Sequence, residues 1–172
     1  MYTDEFGVQF SDDKKTLIEC PEDFKGEYII PDGVIIIGET AFYACRHLTS
    51  VTLPHSVTEI GQSAFDYCSG LTSIKIPDSV TFIGDDAFDH CSGLASVEIP
   101  DSVTGIGNGA FSNCTELVSV KLPKGVYIGF LAFAGCAKLE TIIVPKGTKD
   151  LIIKDFQEAG IEQKIIDCIK EE

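Results

Sequence analysis

Apolar and polar positions in this chain return as a block, with a period far longer than that of a helix or a strand. From Gly26 to about Thr148 the order Leu-x-Ser-Val-x-Leu/Ile-Pro-x-Ser-Val-Thr-x-Ile-Gly-x-x-Ala-Phe-x-x-Cys recurs about every 23 residues. Several columns hold this register together. Phe42, Phe65, Phe88, Phe111 and Phe133, each preceded by Ala, step in parallel with Cys45, Cys68, Cys91, Cys114 and Cys136 and with Gly38, Gly61, Gly84, Gly107 and Gly129. The prolines Pro31, Pro54, Pro77, Pro100, Pro123 and Pro145 follow the same steps and extend the series by one coil. A single residue is missing between Val126 and Ile128. A fixed period of this length means stacked coils, each too small to bury a core alone.

Inside one coil, Leu71-Thr-Ser-Ile-Lys-Ile76 alternates over its second half. This predicts one strand per coil, with Ile74 and Ile76 inward and Ser73 and Lys75 outward. Coils that run the same way would align these strands into one parallel sheet, closed at each step by a proline. Val80, Ile83, Ala87, Phe88 and Cys91 fit the interior side of the return path, and Gly84 is expected to supply a bend. The exposed ends of such a stack need covers. At the N-terminus Phe6, Val8 and Phe10 alternate with polar or small residues, and Ser11-Asp-Asp-Lys14 separates them from Thr16-Leu-Ile18. That pattern predicts a hairpin over the first coil, which also accounts for Ile35 and Ile36 where the next coil has Thr58 and Glu59. Ile161, Ile165, Ile166 and Ile169 recur at helical spacing, so a cap helix is expected over about residues 155–170. Glu171 and Glu172 are ill placed for the C-terminus of that helix. The reading is one domain over 1–172: an N-terminal cap at 1–25, about six repeats at 26–148 and a helical C-terminal cap at 149–172.

The strand segment Leu-x-x-Val/Ile-x-Leu/Ile resembles the signature of leucine-rich repeats. With the continuation Ile-Gly-x-x-Ala-Phe-x-x-Cys, the pattern over about residues 7–148 resembles the BspA-like, or Treponema pallidum type, subclass. The resemblance implies a right-handed solenoid and a non-enzymatic role in protein interaction or adhesion, commonly on the surface of bacteria or secreted from them. One departure concerns the turn. Where better-known leucine-rich repeats carry an asparagine ladder, this chain has Ser56, Ser79, Ser102, Gly125 and Gly147, and serine bonds a backbone turn more weakly.

Composition narrows the partners. With 13 Lys and Arg against 27 Asp and Glu the net charge is −14, which argues against binding phosphate backbones of nucleic acids. No apolar stretch reaches membrane-spanning length, and Met-Tyr-Thr-Asp-Glu lacks the basic and apolar regions of a signal peptide. The expectation is either a cytoplasmic protein or one whose signal has been removed. Seven cysteines invite a disulfide reading, but five form a strict column whose side chains point the same way. They read as buried thiols acting as small hydrophobes, leaving Cys20 and Cys168 in the caps as the more reactive pair. Zinc is disfavoured because no Cys-x-x-Cys pair exists.

Catalytic chemistry is not evident. His47, His55 and His90 fall at three different repeat positions with no nucleophile motif beside them, and they read as exposed histidines. Asp85, Asp86 and Asp89 surround an Ala-Phe pair, but an EF-hand loop pattern is missing and a solvated acidic turn is the simpler account. No catalytic residue, cofactor or metal is therefore assigned. What varies is the outer strand surface. Ser50, Ser73, Ser96 and Ser119 form one outward column and Thr52, Lys75, Glu98 and Lys121 the next, with His55, Asp78, Asp101 and Lys124 at the rim. The bland account of these residues is a mildly stabilising charge ladder, since Lys75, Glu98 and Lys121 alternate in sign on adjacent strands. The functional account is a face by which a monomer binds a protein, for instance a host extracellular protein, or a glycan. The face has no Trp, Tyr or Arg, the residues that dominate binding hot spots. Tyr43, Tyr67 and Phe82 form a second candidate patch. The alternative to recognition is a structural spacer within a larger surface or secreted protein.

Overall fold

The computed structural model describes residues 1–172 and shows a β-solenoid with two strands in each coil. The expected strands are there: Lys25–Ile29, His47–Thr52, Ser73–Lys75, Ser96–Glu98, Ser119–Lys121 and Thr141–Val144. A second, two-residue strand is added at the Ile-Gly step: Ile36–Ile37, Glu59–Ile60, Phe82–Ile83, Gly105–Ile106 and Tyr127–Ile128. The expectation of one sheet with one strand per repeat is corrected accordingly. The short strands belong to an eight-stranded sheet, and the long strands are divided into a three-stranded and a four-stranded sheet.

The glycine column explains the second sheet. Gly84 does not adopt the left-handed region and makes no special bend. A Cβ there would lie 2.7 Å from the backbone of Gly61 and of Gln62, closer than real side chains come. Its N–H donates to Ile60 O at 2.8 Å, so the missing side chain lets adjacent coils touch main chain to main chain. Left-handed backbone occurs twice later in the coil, at Thr40, Ser63, Asp86, Gly109 and Leu131 and again at Ala44, Tyr67, His90, Asn113 and Gly135, with φ between 50° and 72°. A non-glycine residue there costs on the order of 1 kcal/mol, and stacking must over-determine the turn for it to recur.

The interior is one continuous core of 53 buried residues. Its axis is a ladder of phenylalanines: Phe42, Phe65, Phe88, Phe111 and Phe133 stack with centroids 4.9 to 5.6 Å apart and planes within 7°. The cysteine column lies beside it, buried as expected. Each thiol donates across to the preceding coil, Cys68 Sγ to Phe42 O at 3.0 Å, Cys91 Sγ to Phe65 O at 3.1 Å and Cys114 Sγ to Phe88 O at 3.2 Å. Burial pushes these thiols up, Cys136 to about 12 and Cys91 and Cys114 well above the ordinary value. The serine column is less uniform than expected. Ser56 Oγ accepts from Gly33 N–H and donates to Val34 O, whereas Ser79 Oγ and Ser102 Oγ are buried without partners.

The N-terminal hairpin is extended by a third strand: Tyr2–Thr3, Gln9–Phe10 and Thr16–Glu19 pair antiparallel, and the last continues parallel into Ile36–Ile37. Val8 and Phe10 are buried, but Phe6 is 57% exposed, its ring edge-on to Phe24 and Tyr28. Cys20 is fully covered, and a hydrogen bond with Cys45 and burial raise its thiol, which removes it from the reactive pair. Cys168 alone is partly exposed.

At the C-terminus the single helix expected over 155–170 is replaced by three elements. A helix at Lys149–Glu158 ends before Gly160, which has φ +68°; a turn of helix follows at Gln163–Ile166, and a strand at Ile169–Glu171 pairs in parallel with Thr141–Val144. The cap thus imitates a coil. Phe156 joins the aromatic ladder 5.9 Å from Phe133, and Ile169 takes the register position beside Ile142. The terminal glutamates also find uses. Glu171 Oε1 accepts from the N–H groups of Gly147 and Lys149 at the start of the first helix, and Glu172 reaches Lys121.

Candidate interaction face

The long-strand face places the predicted columns side by side. Ser50 pairs with Ser73 and Thr52 with Lys75, while Ser96 pairs with Ser119 and Glu98 with Lys121. Thr52, His55, Ser73, Lys75, Asp78, Ser96, Glu98, Asp101 and Lys124 are exposed, and Ser50, Ser119 and Lys121 are half-buried. Beneath them Val51, Ile74, Val97 and Val120 are buried, so the alternation resolves as expected.

One step in the face differs from the rest. Between Ser73–Lys75 and Ser96–Glu98 the strand ladder is not made, and each strand is an edge of its own sheet. The N–H groups of Ile30, Ile99 and Leu122 donate to the following coil at 3.0, 2.9 and 2.9 Å; those of Leu53, at a paired step, and of Ile76, at the seam, make no such bond, and Ala95 N–H still donates to Thr72 O across the seam at 3.3 Å. Coils on either side of this seam stay joined through Phe82–Ile83 and Gly105–Ile106. A groove of about 800 Å³ starts at the seam and crosses the following strands to the cap, lined by Ser73, Lys75, Asp78, Ser96, Glu98, Asp101, Lys121 and Glu172.

Charges are arranged unevenly around this groove. Lys121 Nζ lies 3.0 Å from Glu172 Oε1 and 3.7 Å from Glu98 Oε1, and the hydrogen bond with Glu172 raises the Lys121 ammonium above its ordinary range. Lys75 is exposed and enters no ion pair. The alternating ladder read from sequence is therefore interrupted where the backbone ladder is interrupted. Glu172 could not be found from the repeat, because its place here depends on the cap returning as a strand.

The second patch divides. Tyr43 and Tyr67 meet edge-on at 6.1 Å, and Tyr67 stacks on His90 at 4.3 Å. Phe82 lies apart, on the short-strand sheet against Gly105. His47 and His55 are exposed as expected, but His90 is half-buried, its side chain 39% accessible, with Nδ1 3.0 Å from Asp89 Oδ2. The acidic turn is also more ordered than a solvated one. Asp85 accepts from the backbone N–H and side-chain amide of Asn108 in the next coil, and Asp89 Oδ1 accepts from Asn113 Nδ2. Burial, then the charge of Asp89, pushes the Asp66 carboxyl up to about 6.

Comparison with known proteins places this geometry. The profile of the BspA type leucine-rich repeat region matches residues 35–162 in six copies. No curated protein matches the chain. Among solved structures, the leucine-rich repeat protein of Treponema pallidum is 35% identical, with a TM-score of 0.72 over 80% of this chain and 68% of that one. A leucine rich cell surface protein of Faecalibacterium prausnitzii is 32% identical, with a TM-score of 0.74 over 80% of this chain and 37% of its own length. A leucine-rich repeat protein of Bacteroides ovatus is 26% identical, with a TM-score of 0.64 over 90% of this chain and 47% of its own. The chain thus spans less than half the length of the latter two. No helix is long and apolar enough to cross a membrane. With six matched copies and a 35% identical relative of the same architecture, the chain belongs to the BspA type leucine-rich repeat family.

Proposed function

We propose that this chain is a non-enzymatic recognition module that captures a protein segment or a glycan on its long-strand face. The observation that carries this reading is the groove: it opens at the interrupted ladder and extends over the next strands, and seven of the variable outward residues line it. A groove whose walls include unused main-chain groups and an unpaired lysine can offer an incoming polar ligand hydrogen bonds that an intact sheet would consume internally. Leucine-rich repeat proteins generally mediate protein interactions, and the cell-surface description of the Faecalibacterium relative supports adhesion outside the cell as the setting. The working unit in this proposal is a single domain, with caps at 1–25 and 149–172 around repeats at 26–148.

The test is simultaneous replacement of Lys75, Glu98 and Lys121 by Ala, followed by capture of partners from host extracellular extracts and a glycan array. Loss of capture with an unchanged circular dichroism spectrum is expected. Capture equal to that of the parent would remove the face from consideration. One observation favours the second reading, a structural spacer. The outward column Ser50, Ser73, Ser96, Ser119 is uniform and small, as a surface kept merely soluble would be. On that reading, no partner is captured by either protein.

A further inference from the structure

Between the short strand and the next long strand of each coil, a left-handed turn follows the phenylalanine. There Asp66, Asp89 and His90 come together, with one donor atom of each within 4.8 Å of the other two. The repeat makes this happen. Asp66 and Asp89 are 23 residues apart and occupy the same place in successive coils, and His90 follows directly. The coil does not require acids at that place, since the same position holds Tyr43 before them and Ser112 and Ala134 after.

Two atoms in the cluster are sealed from solvent and lack any hydrogen-bond partner: Asp66 Oδ1 and His90 Nδ1. A solvated acidic turn would leave its oxygens to water, yet Asp66 Oδ1 is closed to it although the residue is only half-buried. The nitrogen lies 3.0 Å from Asp89 Oδ2 but not in hydrogen-bonding alignment. The surroundings fix these groups in place. The His90 ring stacks on Tyr67 with planes 7° apart, and Asp89 Oδ1 is held by Asn113 Nδ2 at 3.0 Å and by the backbone N–H of His90 at 2.9 Å. Those outer bonds occupy one carboxylate oxygen and leave the other turned toward the imidazole, the arrangement by which outer residues orient metal ligands.

We propose that Asp66, Asp89 and His90 form a three-donor site for a divalent cation of the zinc and manganese class. The imidazole suits zinc and the two carboxylates suit zinc or manganese, whereas calcium takes six to eight oxygen donors that this turn does not supply. The accessible edge of His90 leaves an entry path and open positions for water or for a carboxylate of a bound partner. The site bridges two adjacent coils, so an occupied site fastens them at the turn between their short and long strands.

The experiment uses tag-free, chelator-washed protein titrated with ZnCl2 by calorimetry and with MnCl2 by paramagnetic line broadening. One equivalent of each metal is expected, with broadening confined to amides near residues 66–67, 89–90 and 112–113. Asp66→Asn and His90→Gln should each weaken binding at least tenfold, and Cys168→Ser, which removes the only accessible thiol, should leave zinc affinity unchanged. Binding that survives both ligand variants, broadening spread over other acidic turns, loss of zinc binding with Cys168→Ser, or calcium competing at equal concentration would each overturn the site.

Discussion

The short-strand face runs unbroken across eight strands from Tyr2–Thr3 to Tyr127–Ile128, whereas the long-strand face is divided at the step from Ser73–Lys75 to Ser96–Glu98. Both faces are built from the same coils, so the difference isolates what holds the coils together. On the short-strand side, glycine brings main chain against main chain, and the phenylalanine and cysteine ladders lie beneath. That side can carry the stacking alone. The long-strand side is then free to open by one ladder and to vary its outer residues, which is why the groove occurs there.

The largest expected effect comes from breaking the continuous face. Gly84→Ala would push a Cβ within 2.7 Å of the Gly61 and Gln62 backbone, and backbone cannot yield as a side-chain tip can. Overpacking of this kind should cost about 3 kcal/mol or more in urea unfolding. On the divided face, Ser96→Ala, whose side chain is exposed, should stay within about 0.5 kcal/mol of the parent. Equal losses from the two substitutions would show that the faces share the stacking.

Next in size is the seam itself. Ile99 N–H is bonded to Lys121 O at 2.9 Å and Ile76 N–H has no such partner. A hydrogen bond contributes about 1 kcal/mol. Amide exchange followed by NMR should therefore find the Ile76 amide roughly tenfold or more faster than that of Ile99. Leu53, which also lacks this bond but at a paired step, is the control: an Ile76 amide no faster than that of Leu53 would mean that the seam adds no opening of its own.

These two tests also mark where the sequence was informative. The inward columns, the buried thiols and the capped solenoid were readable because a residue that recurs every 23 positions must serve the coil. Three things were not. The role of the glycines is hidden in the sequence, because a conformational need and a need for closeness leave the same letter; only the contact at Gly84 separates them. The cap helix was overextended because Ile165, Ile166 and Ile169 keep helical spacing while Gly160 and the pull of the open sheet edge at Thr141–Val144 decide the path. The seam left no trace in the letters, since the strands on both sides carry the same pattern. A signal for Asp66, Asp89 and His90 did exist: two acids at one repeat position with a histidine alongside. Asp85 and Asp86 mask it, because with Asp89 they also read as one local acidic loop.

A smaller effect is expected at Asp66. Its carboxyl is pushed up to about 6 from an ordinary 3.8, mainly by burial and then by Asp89. Between those values the folded metal-free chain holds a proton that the unfolded chain has released, so stability falls as pH rises from about 4 to 6 and stays lowered above. Asp66→Asn removes this penalty. After discounting for partial exposure, the variant should be about 1 kcal/mol more stable than the parent at pH 7 in chelator and no more stable at pH 3.5. A destabilised variant at pH 7 would mean that the ionised carboxylate has a partner in the fold.

The smallest effect separates the two accounts of the strand face. Lys121 touches both Glu98 and Glu172, and if that network served stability, its loss would be felt in unfolding. Both pairs lie at the surface, where solvent and the entropy of long side chains cancel most of the attraction. Lys121→Met keeps the aliphatic stem over the sheet and deletes the charge, so its urea midpoint should be indistinguishable from that of the parent at 0.15 M salt. A clear drop in midpoint would assign the alternating charges to the coil and favour the spacer reading. An unchanged midpoint removes the stabilising charge ladder as the reason for these residues and leaves partner capture to separate a binding face from one kept merely soluble.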